Sequence, residues 1–261
     1  MKKTCLIITV LIIGLNISFG QNDKDSLFTK IGHSIQIESK ILNQTKKVYI
    51  HLPFRFDSDK EYPLVVLSDF MAFKPLSSIT EIMAYNKTIP KCIVVCPVTT
   101  EARDDYSPII NDSSETINGG KTIAFFEKEL LPFLETNYKI SKKIIWGQNY
   151  SGMFTTFILL TNPDLFDGYF SDFPQLDVLK KEIESKDCFK NIGNHKVFYQ
   201  ISWTTLEEKQ NEMNYFLSKL ESDAPDNLRW KYSEESDSIF ITHILTNYTY
   251  GLNAFFKEEN E

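Results

Sequence analysis

Short apolar runs, set apart by polar and turn-forming stretches, give the chain its pattern. Alternating or continuous runs over about 34–39, 46–52, 62–69, 92–98, 143–148, 167–172, 196–202 and 228–233 predict eight strands. Helical spacing fills the gaps, over about 76–85, 119–137, 151–162, 175–186, 206–222 and 243–257. In 119–137 the residues Ile123, Phe126, Leu130, Phe133 and Leu134 share one face, and Pro132 predicts a kink. The first strands, "SIQIES" and "KKVYIHL", read as an antiparallel pair, after which strands and helices alternate. That order predicts an α/β fold: a mostly parallel central sheet of about eight strands with helices on both faces. The longest polar connection, "TTEARDDYSPIINDSSETIN" over 99–118, follows the strand ending at Val98. Loops at the carboxyl ends of such strands line ligand crevices; a solvated surface loop is the other reading.

The first twenty residues differ from the rest. Lys2 and Lys3 precede an apolar run from Leu6 to Leu15, and Ser18-Phe19-Gly20 stands before the polar Gln21. A charged start, a short apolar stretch and a small-x-small junction predict a secretory signal peptide over 1–20. A membrane anchor needs roughly 18 apolar residues, and Asn16 and Ser18 interrupt the run. No cysteine closes the apolar stretch, so no lipoprotein is expected. The expectation is an exported protein, periplasmic or secreted, with one domain over 21–261 and no transmembrane segment after cleavage.

Charge and cysteine content narrow the partners. Without Lys2 and Lys3 the chain has 26 basic and 35 acidic residues, a net −9, which disfavours nucleic acid and anionic membrane surfaces. Cys92, Cys96 and Cys188 lie outside the leader. In a strand Cys92 and Cys96 would stand about 13 Å apart, too far for a bridge, so buried free thiols are expected. Histidine occurs only at 33, 51, 195 and 243, with no HExxH or CxxC spacing; no metal and no cofactor is expected.

The stretch "IIWGQNYSGMFTTF" carries the most chemistry. An apolar strand runs into Gly147, a sharp turn and then a helix, the setting in which α/β-hydrolases present a serine as G-x-S-x-G. Here the five residues are Gly147-Gln148-Asn149-Tyr150-Ser151. The wider chain resembles the esterase D, enterochelin esterase, feruloyl esterase and mycolyl transferase group of α/β-hydrolases over about 35–257. The segments that carry the resemblance are "KKVYIHLPFRFDSDKEYPLVVLSDF", "IPKCIVVCPVTTEARDDYSP" and "GGKTIAFFEKELLPFLETNYKISKKIIWGQNYSGMFTTFILLTNPDLFDGYFSDFP". The resemblance implies an α/β-hydrolase fold and carboxylic-ester hydrolysis by a serine, a histidine base, an orienting acid and two backbone N–H donors.

Set against that pattern, several positions depart from it. Asn149 stands at the nucleophile's place, and a carboxamide is a poor nucleophile, although asparagine tolerates a left-handed or strained backbone better than most residues. Ser151 lies where the family has a small residue, and it reads first as a tolerated small residue capping the helix. The family histidine would fall at Asp237 or at Phe240, depending on the flank used for matching. His243 lies three residues further, where a surface or half-buried place in the last helix is the simpler reading. The orienting acid is expected in "WTTLEE", at Glu207 or Glu208, both of which equally suit a helix's first turn. One oxyanion donor would be the N–H of Tyr150. The other would come from the loop after Asp69, where the family commonly has glycine and this chain has Phe70, a side chain expected to narrow or close the pocket mouth.

These departures favour an exported, non-catalytic family member that binds a small-molecule ester, a carbohydrate-like ligand or a partner through the former active-site crevice. The alternative is an active esterase using Ser151 with His243. A third reading is a different reaction with Asp69, Asp237 or Glu235 as acid or base. The oligomeric state is not legible.

Overall fold

The continuous apolar runs become interior strands. The computed structural model describes residues 31–99, 101–108, 119–204, 210–235 and 240–258. Its strands are β1 (His33–Ser39), β2 (Gln44–His51), β3 (Tyr62–Leu67), β4 (Ile93–Pro97), β5 (Ile140–Gln148), β6 (Gly168–Asp172), β7 (Val197–Thr204) and β8 (Leu228–Glu235). They form one sheet in the order β1-β2-β4-β3-β5-β6-β7-β8. β1 runs antiparallel to β2 and β2 to β4, and every other pairing is parallel. Every residue of β3, β4 and β6 is buried, as a parallel strand covered on both faces requires.

Alternation along β3 divides the core. Leu64 and Val66 face one layer and Val65 and Leu67 the other. The first layer holds helices α3 (Gly119–Phe125, Phe126–Leu130 and Leu131–Asn137), α4 (Tyr150–Thr161) and α6 (Gln210–Asp223), through residues such as Phe126, Leu130, Met153, Phe154, Met213 and Phe216. The second holds α1 (Phe73–Tyr85) and α7 (Phe240–Glu258), through Leu76, Met83, Ile244, Tyr248 and Phe255. Two short helices, α2 (Ala102–Tyr106) and α5 (Lys180–Ile183), complete the described set. Among the described residues no helix is long and apolar enough to cross a membrane.

Two expectations take a different form. The irregularity at Pro132 is a π-helical segment over Phe126–Leu130 inside α3. Proline lacks an N–H and its ring crowds the carbonyl four residues back, so the preceding turn widens. The segment brings Glu129 to the β1–β2 turn, where its carboxylate accepts from Ser39 Oγ (2.5 Å), Lys40 N–H (2.9 Å) and Ile41 N–H (3.2 Å). The helix expected over 175–186 shrinks to a 3₁₀ turn, Leu176–Leu179, and the four residues of α5. Leu176, Leu179 and Ile183 are its buried anchors, with Val178 half-buried beside them, and a 3₁₀ turn stacks residues three apart on one line.

Within the polar stretch 99–118, residues 102–106 form α2, which packs Tyr106 against Phe154 of α4 with ring centroids 4.6 Å apart. Residues 109–118, together with Glu207, Glu208 and Asp237, lie outside the described residues.

Candidate functional site

At the carboxyl end of the central strand a single residue reverses the chain. β5 ends at Gln148, α4 begins at Tyr150, and Asn149 between them has φ 53° and ψ −118°. A residue with a Cβ seldom adopts this backbone, and the strain is worth about 1–3 kcal/mol. Its surroundings impose it. The Asn149 N–H donates to the Asp172 carbonyl and its own carbonyl accepts from Met153 N–H, both at 2.8 Å. Glycine is required on either side: a Cβ at Gly147 would lie 2.3 Å from the Ser151 carbonyl oxygen, and one at Gly152 would lie 2.6 Å from that of Asp172.

Ser151 fastens the same turn. Its hydroxyl donates to the Gln148 carbonyl (2.8 Å) and accepts from the Gln148 N–H (2.9 Å), and the residue is buried. The expected cap is therefore a latch running back to the strand end. Asn149 itself makes no side-chain capping bond to α4 and is exposed.

Above the turn lies a crevice of about 310 Å³, lined by Ser68, Asp69, Phe70, Thr99, Ala102, Gln148, Asn149, Tyr150 and Ser151. Asp69 ties its walls together: one carboxylate oxygen accepts from Gln148 Nε2 (2.9 Å) and the other from Met71 N–H (2.9 Å). The carboxylate thereby fixes the Gln148 amide with its nitrogen toward Asp69. Ser68 Oγ and Gln148 Oε1 are buried and meet no hydrogen-bond partner. Phe70 stands at the rim, 36% exposed, and does not close the opening. Thr99 and Ala102 bring the start of the 99–118 stretch to the crevice wall. Cys96, behind it, is no nucleophile: burial, and after it the Asp69 charge, push its thiol well above the ordinary range.

His243 corrects its simpler reading. It is the fourth residue of α7 but is 1% exposed, with Nε2 3.6 Å from Asp172 Oδ1. Ser202 Oγ donates to that same carboxylate oxygen. The Phe173 ring lies on the imidazole, with centroids 4.0 Å apart, and Phe173 holds φ 46° to reach it. The last helix enters the fold at the tips of β6 and β7, and that entry turns the imidazole inward. His243 is not among the residues lining the crevice. The structure thus brings Asp69, Phe70, Asn149, Tyr150 and Ser151 together around the crevice and places His243 beside Asp172, whose carbonyl accepts from the Asn149 N–H.

A family model, described as Putative esterase, matches residues 39–230. The chain belongs to this family. The match ends inside β8, before Asp237 and His243. Among solved structures, the BES protein from Bacillus cereus is similar with a TM-score of 0.77 and 20% identity, over 87% of this chain and 96% of that one. An IroE-like serine hydrolase from Shewanella oneidensis has a TM-score of 0.73 and 21% identity, over 87% and 80%. The enterobactin esterase FES from Shigella flexneri has a TM-score of 0.66 and 15% identity, over 87% and 59%. At these identities the likeness establishes an α/β-hydrolase fold. No curated protein sequence matches the chain.

Three residues in and beside the crevice escape a reading of the sequence. Asp172 shows one signal, an acid closing the apolar strand "GYFSD", but nothing local ties it to His243. Ser68 and Gln148 look like ordinary polar strand ends, and their burial depends on how β3 and β5 are paired.

Proposed function

We propose that the protein is an exported, non-catalytic member of the esterase family that binds a small molecule in the crevice above Asn149. The observation that carries this reading is the elbow itself. Its backbone is held by bonds to Asp172 and Met153, yet it presents a carboxamide, and the neighbouring hydroxyl, Ser151, is buried and bonded twice to Gln148. Acyl transfer needs an activated nucleophile beside a base. The crevice suits binding instead. Ser68 Oγ and Gln148 Oε1 are unpartnered polar groups at its wall, and each such group costs about 1–3 kcal/mol until satisfied. Asp69 is the one charged side chain of the described lining, which favours a neutral ligand, an ester or a sugar-like molecule, over an anion.

The expected result is no turnover of p-nitrophenyl acetate or methyl ferulate, and no labelling by a fluorophosphonate probe. Turnover that disappears on replacing one site residue would sink the proposal. The second reading, hydrolysis by Ser151, draws on the His243–Asp172 pair. It requires the Ser151 hydroxyl to leave Gln148, and it predicts fluorophosphonate attached at Ser151.

A further inference from the structure

The backbone at Asn149 suggests chemistry that the residue can do on itself. We infer that Asn149 is a self-modifying residue: the Tyr150 amide nitrogen attacks the Asn149 side-chain carbonyl carbon, and the resulting ring opens to leave a carboxylate at the elbow.

The geometry for this ring is in place. A succinimide joins Tyr150 N to Asn149 Cγ through C, Cα and Cβ, so these five atoms must approach one plane. In an L-residue Cβ sits about 120° from N around the Cα–C bond, on the negative side. At ψ −118° the Tyr150 nitrogen therefore all but eclipses Asn149 Cβ. Helical ψ, about −42°, and strand ψ, about 135°, turn that nitrogen well away. The elbow holds its residue in the conformation that the cyclic product needs, so the strain is already present in the reactant.

The reacting groups are also unencumbered. Tyr150 opens α4, so its N–H has no helical acceptor, and among the described residues no backbone acceptor outside the helix meets it. The positive end of the twelve-residue α4 lies there and favours loss of the N–H proton and the negative charge that builds on the attacked carbonyl oxygen. The Asn149 side chain makes no cap bond, and the residue is exposed, so water reaches it.

The balance is simple. The Tyr150 N–Cγ bond forms, the Cγ–Nδ2 bond breaks, and ammonia leaves with the proton from the Tyr150 N–H. Water then opens the imide. Attack at Cγ gives aspartate with the turn intact, while attack at the main-chain carbonyl gives isoaspartate, whose backbone is one methylene longer. In either product an anion replaces a neutral amide in a crevice whose described lining holds one other charge, Asp69. With aspartate, the elbow regains an oxygen nucleophile without any change in the gene.

The test follows the purified full-length chain by intact mass and peptide mapping at mildly alkaline pH, folded and in urea. Conversion of NH₂ to OH at Asn149 should run roughly tenfold or more faster in the folded chain than in urea, as an oriented intramolecular reaction should. Asn86, also exposed but with ψ 0°, should show no such acceleration. Hydroxylamine added to the folded chain should cleave it between 149 and 150 by trapping the imide. Asn149→Gln, which would need a six-membered ring, should keep its mass, and the hydroxylamine result on the unmodified chain stands even if that variant fails to fold. Equal or slower conversion in the folded chain, or hydroxylamine leaving the chain whole while the mass at Asn149 stays fixed, overturns the proposal.

Discussion

Asn149 has a backbone that glycine would adopt freely and a β-branched residue would resist. Asn149→Gly should therefore stay within about 1 kcal/mol of the parent chain, the relieved strain offsetting the looser unfolded state. Asn149→Val should lose about 1–3 kcal/mol. Urea unfolding of the three chains decides the order, and a valine variant as stable as the parent would mean that the turn relaxes. This position was legible in the sequence because the elbow is local: strand, Gly147, one reversing residue and helix are written within a dozen letters. Ser151 was half legible. Its small size could be read, but its latch to Gln148 could not, since that depends on the turn being closed.

At the scale of elements, the eight strands were legible because interior parallel strands must be apolar throughout, and β3, β4 and β6 are. Over 175–186, three apolar anchors at helical spacing also satisfy a 3₁₀ turn followed by one short helical turn, and that is what forms. What stayed hidden is how the tips of β6 and β7 receive the last helix. Asp172, Ser202 and His243 lie on three separate elements, and no spacing rule connects them. Removing the imidazole takes a neighbour from a buried carboxylate that Ser202 still bonds. His243→Ala should therefore destabilise the fold by about 1–3 kcal/mol, and adding Asp172→Asn should restore part of that loss. Chemical denaturation of the single and double variants measures the coupling. Additive losses would show that the two side chains stabilise the fold independently.

For the whole molecule, the arrangement is an α/β-hydrolase scaffold whose strand-to-helix elbow carries an asparagine. The family match covers residues 39–230 and so includes the elbow, while His243 lies past it. The Glu129 clamp has a consequence of another kind. It joins the edge hairpin to the middle of α3 across 88 to 90 positions, and contacts so distant in sequence tend to form late on the folding route. An interaction absent from the transition state slows unfolding and leaves folding unchanged. Glu129→Ala should speed unfolding several-fold in stopped-flow traces, with the refolding arm unmoved. Slower refolding would place the hairpin in the nucleus. That carboxylate then sets a lifetime: it governs how long the first hairpin stays fastened to the helix layer before it can open to another chain.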